Sequence, residues 1–372
     1  MNVADRGFRT AYEHESQSLG RFTLLVLGRT GVGKSTLVNA VFGQTLAETG
    51  IGRPVTRASH LYTREGVGLG LIDTKGLEIG QDTDTIVADL RALVAHSRTL
   101  PEAERIHAAW FCVQAADLRI QDGERTVMET LHELGIPVML VMTKVPRVEG
   151  RNHPDAVAFH QAIQAMGLPV VDGRAFAVMA QGDDFAGWPE HGLAELVERT
   201  RLVAPLGVQA ALVAAQRVDQ EAKAREAKKV VAAAAAAAGA AAATPIPFAD
   251  AAVLVPIQLR MMSRSALLHN VPLDRATLLA LGSVAATTGA GRSLATGLIK
   301  LIPGAGSVAG GVVGASVASS VTAAMGAAWI TVCRRYGSDS LVGSVAFDPS
   351  VLQKAFAEEM GRRFRGIGGR KC

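Results

Sequence analysis

The chain is short of aromatic side chains, of charge and of cysteine. Aromatics are 5% of its 372 residues, so alanine, glycine, valine and leucine carry most of an apolar content of 49%. Side chains that small suit close helix–helix packing better than a bulky core. Charged residues are 19%, below the usual share of about a quarter. The three cysteines, Cys112, Cys333 and Cys372, are far apart and odd in number, which excludes a disulfide framework or cysteine metal-ligand spacing. A reducing cytoplasm is the expected setting. Cys372 is the last residue, so it does not form a prenylation box. The opening "MNVADRGFRTAYEHESQSLG" is polar and carries no signal-peptide pattern, and the nine histidines show no metal spacing. No Ser/His/Asp arrangement and no solenoid repeat can be read. The net charge of +4 owes much to "GRRFRGIGGRK" near the C-terminus, which reads as a solvated end or as a contact for anionic lipid or RNA.

What is present follows two patterns. From Arg21 to about Pro205, apolar runs alternate with helical stretches. The runs are "RFTLLVLG", "GVGLGLID", "IHAAWFCVQ", "IPVMLVMT" and "RAFAVMA"; helices are expected at about 34–43, 82–97, 121–135, 153–166 and 191–203. This alternation indicates an α/β fold with a mainly parallel sheet covered on both faces. From about Gly207 the pattern is helical, with strong propensity for more than thirty residues through the polyalanine stretch. "TPIPFAD" interrupts it, and residues 251–268 and 273–288 read as further helices.

"GRTGVGKS", Gly28 to Ser35, is a complete G-x-x-x-x-G-K-S between a strand and a helix. Its glycines let backbone N–H groups turn inward around phosphates, and the helix N-terminus adds positive potential. Gly28, Arg29, Thr30, Gly31, Val32, Gly33, Lys34, Ser35 and Thr36 form the expected nucleotide-binding loop. Lys34 is assigned to the β- and γ-phosphates and Ser35 to Mg²⁺. "LIDTKG" adds Asp73 for Mg²⁺ through water and Gly76, whose amide senses the γ-phosphate. "GIGRPVTRAS" offers Thr56, in what reads as a loop, as a switch residue closing onto Mg²⁺.

The string "GRTGVGKSTLVNAVFG … GRPVT … LIDTKGLE … WFCVQ … VMTKV" resembles the translation-factor-related GTPases, closest to the Era/TrmE-like and interferon-inducible immunity-related branches. More particularly, it resembles bacterial GTPases fused to a C-terminal hydrophobic domain of unknown function. The resemblance implies a Ras-like P-loop domain over about 21–205 that binds GTP with Mg²⁺ and hydrolyses it. Lys34, Thr56, Asp73 and Gly76 would carry the chemistry, and Ser35, Thr56 and Asp73 the metal.

Two positions depart from that family. Where a guanine-reading aspartate is expected after Thr143 and Lys144, the residue is Pro146. Three readings stay open: Thr143 and Lys144 pack beside the base and GTP is kept with relaxed selectivity; Glu149 or Asp172 substitutes; or the site takes ATP or binds nucleotide poorly. The turn at Ala180, matching the family's Ser-Ala position, favours guanine through its amide. Leu77 and Glu78 stand where a water-orienting glutamine would follow Gly76, so slow turnover is expected. Arg29 and Lys75 are candidates to stabilise transition-state charge, and Gly31 replaces the asparagine through which some relatives hold potassium.

In the C-terminal half, residues 301–333 contain no charge. Gly306, Gly310, Gly314, Ala318, Thr322 and Gly326 make a small-residue ridge at a spacing of four. The run is long enough to span a bilayer but weakly lipophilic, so a hairpin kinked at Ile302–Gly306 and packed on the polyalanine segment is expected. The expected organisation is a polar segment 1–20, a GTPase domain 21–205, a helical linker 206–229, a hydrophobic helical domain 230–336 and a C-terminal helix with a basic tail 337–372. The expected partners are guanine nucleotide, membrane lipid through 230–336, and a second copy of the chain. No DNA is expected, and RNA is disfavoured for want of a recognisable RNA-binding module. The setting is the cytoplasm or the cytoplasmic face of a membrane. The function read is a GTP switch driving the helical domain, with a non-catalytic nucleotide-binding scaffold or an RNA- or ribosome-associated GTPase as alternatives.

Overall fold

The structure, a computed structural model, describes residues 3–43, 51–56, 59–64, 67–73, 83–243, 250–271, 310–339 and 358. The chain divides into two compact units: Leu19–Asp219, and a second made of Met1–Ser18 with Gln220–Cys372.

The first unit is built on a seven-stranded sheet of order β2-β3-β4-β1-β5-β6-β9. Its strands are β1 (Phe22–Gly28), β2 (Ile51–Thr56), β3 (Ser59–Arg64), β4 (Val67–Asp73), β5 (Ile106–Gln114), β6 (Val138–Thr143) and β9 (Ala175–Ala177); a small hairpin of β7 (Arg147–Val148) and β8 (Arg151–Asn152) stands apart. Strands β4, β1, β5, β6 and β9 run parallel. All residues of β1 and β6 are buried, because a parallel sheet is covered on both faces and offers no wet side for polar residues to alternate onto. The covering helices are α2 (Lys34–Phe42), α3 (Thr83–Arg98), α4 (Asp122–Glu133), α5 (Pro154–Ala165), α6 (Leu193–Val203) and α7 (Leu206–Ala215). Leu90, Leu93 and Val94 of α3 and Val127, Met128 and Leu131 of α4 share one core with Phe111 and Leu140 of the sheet.

The stretch around Thr56 is not a loop. Residues 51–56 form β2, antiparallel to β3, with Thr56 opposite Ser59. Gly52 and Pro54 hide this strand from a propensity reading, yet β2 is the outermost strand, where a residue lacking an N–H is tolerated.

The second unit is helical: α1 (Val3–Leu19), α8 (Gln220–Ala243), α9 (Asp250–Leu268) and α10 (Gly310–Asp339). The polar opening segment is therefore an amphipathic helix. Phe8, Tyr12 and Leu19 are buried, Tyr12 Oη donates to Val271 O at 3.0 Å, and buried Glu15 pairs with Arg260 at 3.0 Å and with Arg264 at 3.8 Å. Charged residues between the apolar positions dilute that stripe in the sequence. Helices α8 and α10 approach closely because both present small residues. Ala224, Ala227 and Ala238 of α8 and Thr322 and Ala328 of α10 are fully buried, and a Cβ placed on Gly326 would lie 2.5 Å from a Val231 methyl.

The uninterrupted helix expected from about 207 breaks at Gln216–Asp219. There the Gln216 carboxamide accepts from Asp219 N at 2.7 Å and donates to Asp219 O at 2.8 Å, so its side chain competes with the helical ladder. The break coincides with the unit boundary, so α7 belongs to the first unit and α8 to the second. Among the described residues no helix is long and apolar enough to cross a membrane. The helix at 273–288, the kink at Ile302–Gly306 and the basic tail lie outside the described residues.

Two basic groups are buried in the helical unit. Lys223 Nζ donates to Leu268 O at 2.8 Å, and burial pulls its pKa down to about 7. Burial pulls His269 down to about 4, with the charges of Lys223 and Arg334 adding to the shift. Between pH 7 and the ordinary lysine value of about 10.4, the unfolded chain holds a proton at Lys223 that the folded chain has released. Stability therefore rises with pH across that window, and His269 adds a rise between about 4 and its ordinary value of about 6.5. Denaturation followed by hydrogen exchange in α8 is expected to show a midpoint rising from pH 7 to about 9, with Lys223→Met flattening the rise.

Candidate functional site

Because β4, β1, β5, β6 and β9 are parallel, the loops leaving their C-terminal ends share one edge of the sheet. The loop after β1 runs from Gly28 to α2. Gly28 has φ 132°, and a Cβ there would meet Cys112 O at 2.3 Å, so only glycine lets β1 leave the sheet at this point. Gly31 and Gly33 follow with φ 81° and 101°, and Gly31 faces open space. Helix α2 then begins at Lys34 with no side-chain cap and no acidic residue in its first turn. Its first amides are thus available to an anion, at the positive end of the helix. Lys34 Nζ donates to Gly28 O at 2.7 Å and Arg29 O at 3.0 Å, lying within its own loop.

Thr143 and Lys144 reach this loop from β6. Buried Thr143 Oγ1 stands 2.5 Å from Val32 O and 3.1 Å from Val113 O. Lys144, at φ 53°, donates to Gly31 O at 2.8 Å and to Gln114 Oε1 at 3.2 Å. The threonine and lysine therefore brace the phosphate loop, a role that needs no aspartate at position 146.

Behind the loop lie residues that the sequence reading missed. Gln114 and Asp117 form a reciprocal capping pair after β5, and Asp117 faces Arg29 at 4.0 Å. Arg29 is thus held toward Asp117. Glu124 is buried, its carboxyl raised by burial while the Gln121 amide it accepts from and the Arg29 charge oppose the rise. The polar "QAAD" directly after a buried strand was the available signal.

Asp73 ends β4, opposite Val26 in β1 and His60 in β3. Ser35, exposed in the first turn of α2, lies beyond the neighbouring strand. A hydroxyl and a carboxylate are hard oxygen donors of the kind Mg²⁺ takes. Thr56 ends β2 at the same edge, two strands from β4, which at strand spacing is roughly 10 Å of backbone. Lys75, Gly76, Leu77 and Glu78 lie outside the described residues.

At the far end of the edge, Val145 N donates to Val178 O at 3.1 Å, joining the Pro146 turn to the stretch that leads into Ala180. Asp172 is not a substitute for the missing aspartate. It precedes β9, at the opposite edge of the sheet, and is held by Arg199 and Arg174. Glu149 sits at the exposed tip of the β7–β8 hairpin with φ 51°.

A family model described as 50S ribosome-binding GTPase matches residues 23–144, from β1 to Lys144. Residues 23–144 carry a P-loop GTPase domain. Among solved structures, one titled as a probable GTP-binding protein engB is 19% identical to the chain, covering 49% of it and 97% of that chain, with a TM-score of 0.33. The matched span of the GTPase domain takes in the phosphate loop, Thr56, Asp73 and the Thr143–Lys144 brace, and stops short of Pro146.

Proposed function

We propose that the GTPase domain is a nucleotide switch that binds GTP with Mg²⁺, hydrolyses it slowly and passes its state to the helical unit. The observation that carries this reading is the braced phosphate loop: glycines at positive φ, an uncapped helix start, and Lys34 inside the loop. Lys34 and the amides of Gly31 to Ser35 would bind the β- and γ-phosphates. Ser35 and Asp73 would hold Mg²⁺, with Thr56 joining when β2 rearranges. An ion held there would supply positive charge to offset that of the phosphates. Leu77 cannot orient water, which supports slow turnover unless a partner supplies the group. Lys144 and the amide of Ala180 would flank guanine.

The test is titration of the full chain with fluorescent GTP and ATP analogues, with and without Mg²⁺. Mg²⁺-dependent GTP binding that ATP does not displace is the expected result. Failure to bind either nucleotide would overturn the reading.

Arg217 supports the coupling. Its backbone N donates to Val41 O and its Nε to Ala40 O, both at 2.9 Å, so it satisfies the last carbonyls of the helix whose first turn meets phosphate. Asp219, two residues on, ends the unit. Arg217→Ala is expected to keep GTP affinity within about threefold, a loss under 1 kcal/mol. The same variant should lose the GTP-dependent change in hydrogen exchange of α8.

The family description favours one other reading, a ribosome-associated GTPase. GTP-dependent, salt-sensitive co-sedimentation with large ribosomal subunits would establish it.

A further inference from the structure

The base end of the site lacks its usual carboxylate, yet the turn at Val145–Pro146 is firmly held. Val178 N donates to Met142 O at 2.9 Å, extending the β6–β9 pairing one residue further, and Val145 N donates back to Val178 O. Past Ala180 the chain makes an excursion through residues 181–190 and returns at His191. There His191 and Met179 exchange backbone hydrogen bonds, both at 3.1 Å. Gly192 follows with φ 81°, and a Cβ on it would meet Ala177 O at 2.1 Å. The return is therefore pressed directly against β9.

The His191 side chain points at Val145. His191 Nε2 lies 2.9 Å from Val145 O, and since a carbonyl only accepts, the ring carries its proton on Nε2. Its Nδ1 is buried, with no hydrogen-bond partner among the described residues. Burial lowers the His191 pKa; the bond to Val145 O opposes the shift and the Arg147 charge adds to it, and the net lowering keeps the ring a neutral donor at neutral pH.

Resting on the GTP reading above, we propose that His191 is the positioning residue of the nucleobase end. Its ring locks the Val145–Pro146 turn to the Ala180 turn, giving the base a fixed wall where Pro146 offers no side-chain hydrogen bond. It acts through the backbone of Lys144, Val145 and Ala180.

The test compares GTP, ATP and inorganic tripolyphosphate as ligands of the full chain, in wild type, His191→Ala and His191→Gln. A lost hydrogen bond that loosens one wall predicts GTP binding weakened about tenfold in the alanine variant. The GTP-to-ATP preference should fall toward unity while tripolyphosphate binds as in wild type. Glutamine, which keeps an N–H donor, should restore most of the preference. Equal weakening of all three ligands, or no change in any, would overturn the proposal and leave the GTP reading intact. If wild type binds tripolyphosphate but neither nucleotide, both fall. Should the alanine variant not fold, His191→Leu against His191→Gln carries the same comparison, because leucine fills the buried space without a donor.

Discussion

Lys34→Ala is expected to weaken GTP binding by at least about a hundredfold, with the fold unchanged. The ammonium sits inside the phosphate loop, 2.7 and 3.0 Å from the Gly28 and Arg29 carbonyls. It would exchange at least one of these for a charged phosphate oxygen. Charge-assisted hydrogen bonds contribute about 1.5–3 kcal/mol each, and a hundredfold corresponds to roughly 2.7 kcal/mol. Alanine removes that attraction and also leaves two carbonyls without their lysine partner. The loop itself should survive, because Thr143 and Lys144 brace it independently at Val32 O and Gly31 O. Fluorescent-nucleotide titration beside circular dichroism checks both halves. An unchanged affinity would mean that nucleotide binds elsewhere than the Gly28–Ser35 loop.

The second large effect is in the helical unit. Gly326→Leu is expected to destabilise it by about 3 kcal/mol or more. A Cβ at position 326 would lie 2.5 and 2.7 Å from the two Val231 methyls and 2.8 Å from Met261 Sδ. Met261 can yield, but valine is short and stiff, so α8 and α10 must separate. Removing a helical glycine returns only about 1 kcal/mol of propensity, against an overpacking cost of about 1–3 kcal/mol for modest insertions and more for a whole leucine. Steric cost wins. Trp329, fully buried with its indole N–H on Met262 O at 2.9 Å, lies in the same helix, and amide hydrogen exchange of α10 on heating reports the loss. Nucleotide binding at the first unit should persist at temperatures where α10 already exchanges. A variant melting like wild type would show that the helices do not pack through this glycine.

Much of the first unit was legible because its grammar is local. The strands at 22–28, 106–114 and 138–143 are unbroken apolar runs, and the helices between them carry periodic apolar positions. The phosphate loop was legible for a different reason: its glycines are required by backbone geometry at single positions, as Gly28 against Cys112 shows. Strand β2 was missed because an edge position excuses Gly52 and Pro54 from the usual strand composition. Helix α1 was missed because Phe8 and Tyr12, set among polar residues, count as an apolar stripe only once a partner covers them.

By itself, then, the sequence determined an α/β unit with a phosphate loop at Gly28–Ser35, followed by a helical half rich in small residues. Those features depend on neighbours a few residues apart, where propensity and periodicity act. Tertiary structure alone decided that α1 belongs with the C-terminal helices, since Tyr12 bonds Val271 and Glu15 bonds Arg260 across more than two hundred residues. It decided that Thr143 and Lys144 brace the loop, that Arg217 ends the phosphate-loop helix, and that His191 holds the turn at Val145. Each of these is a hydrogen bond between distant segments, set by how strands and helices stack and invisible to any local pattern.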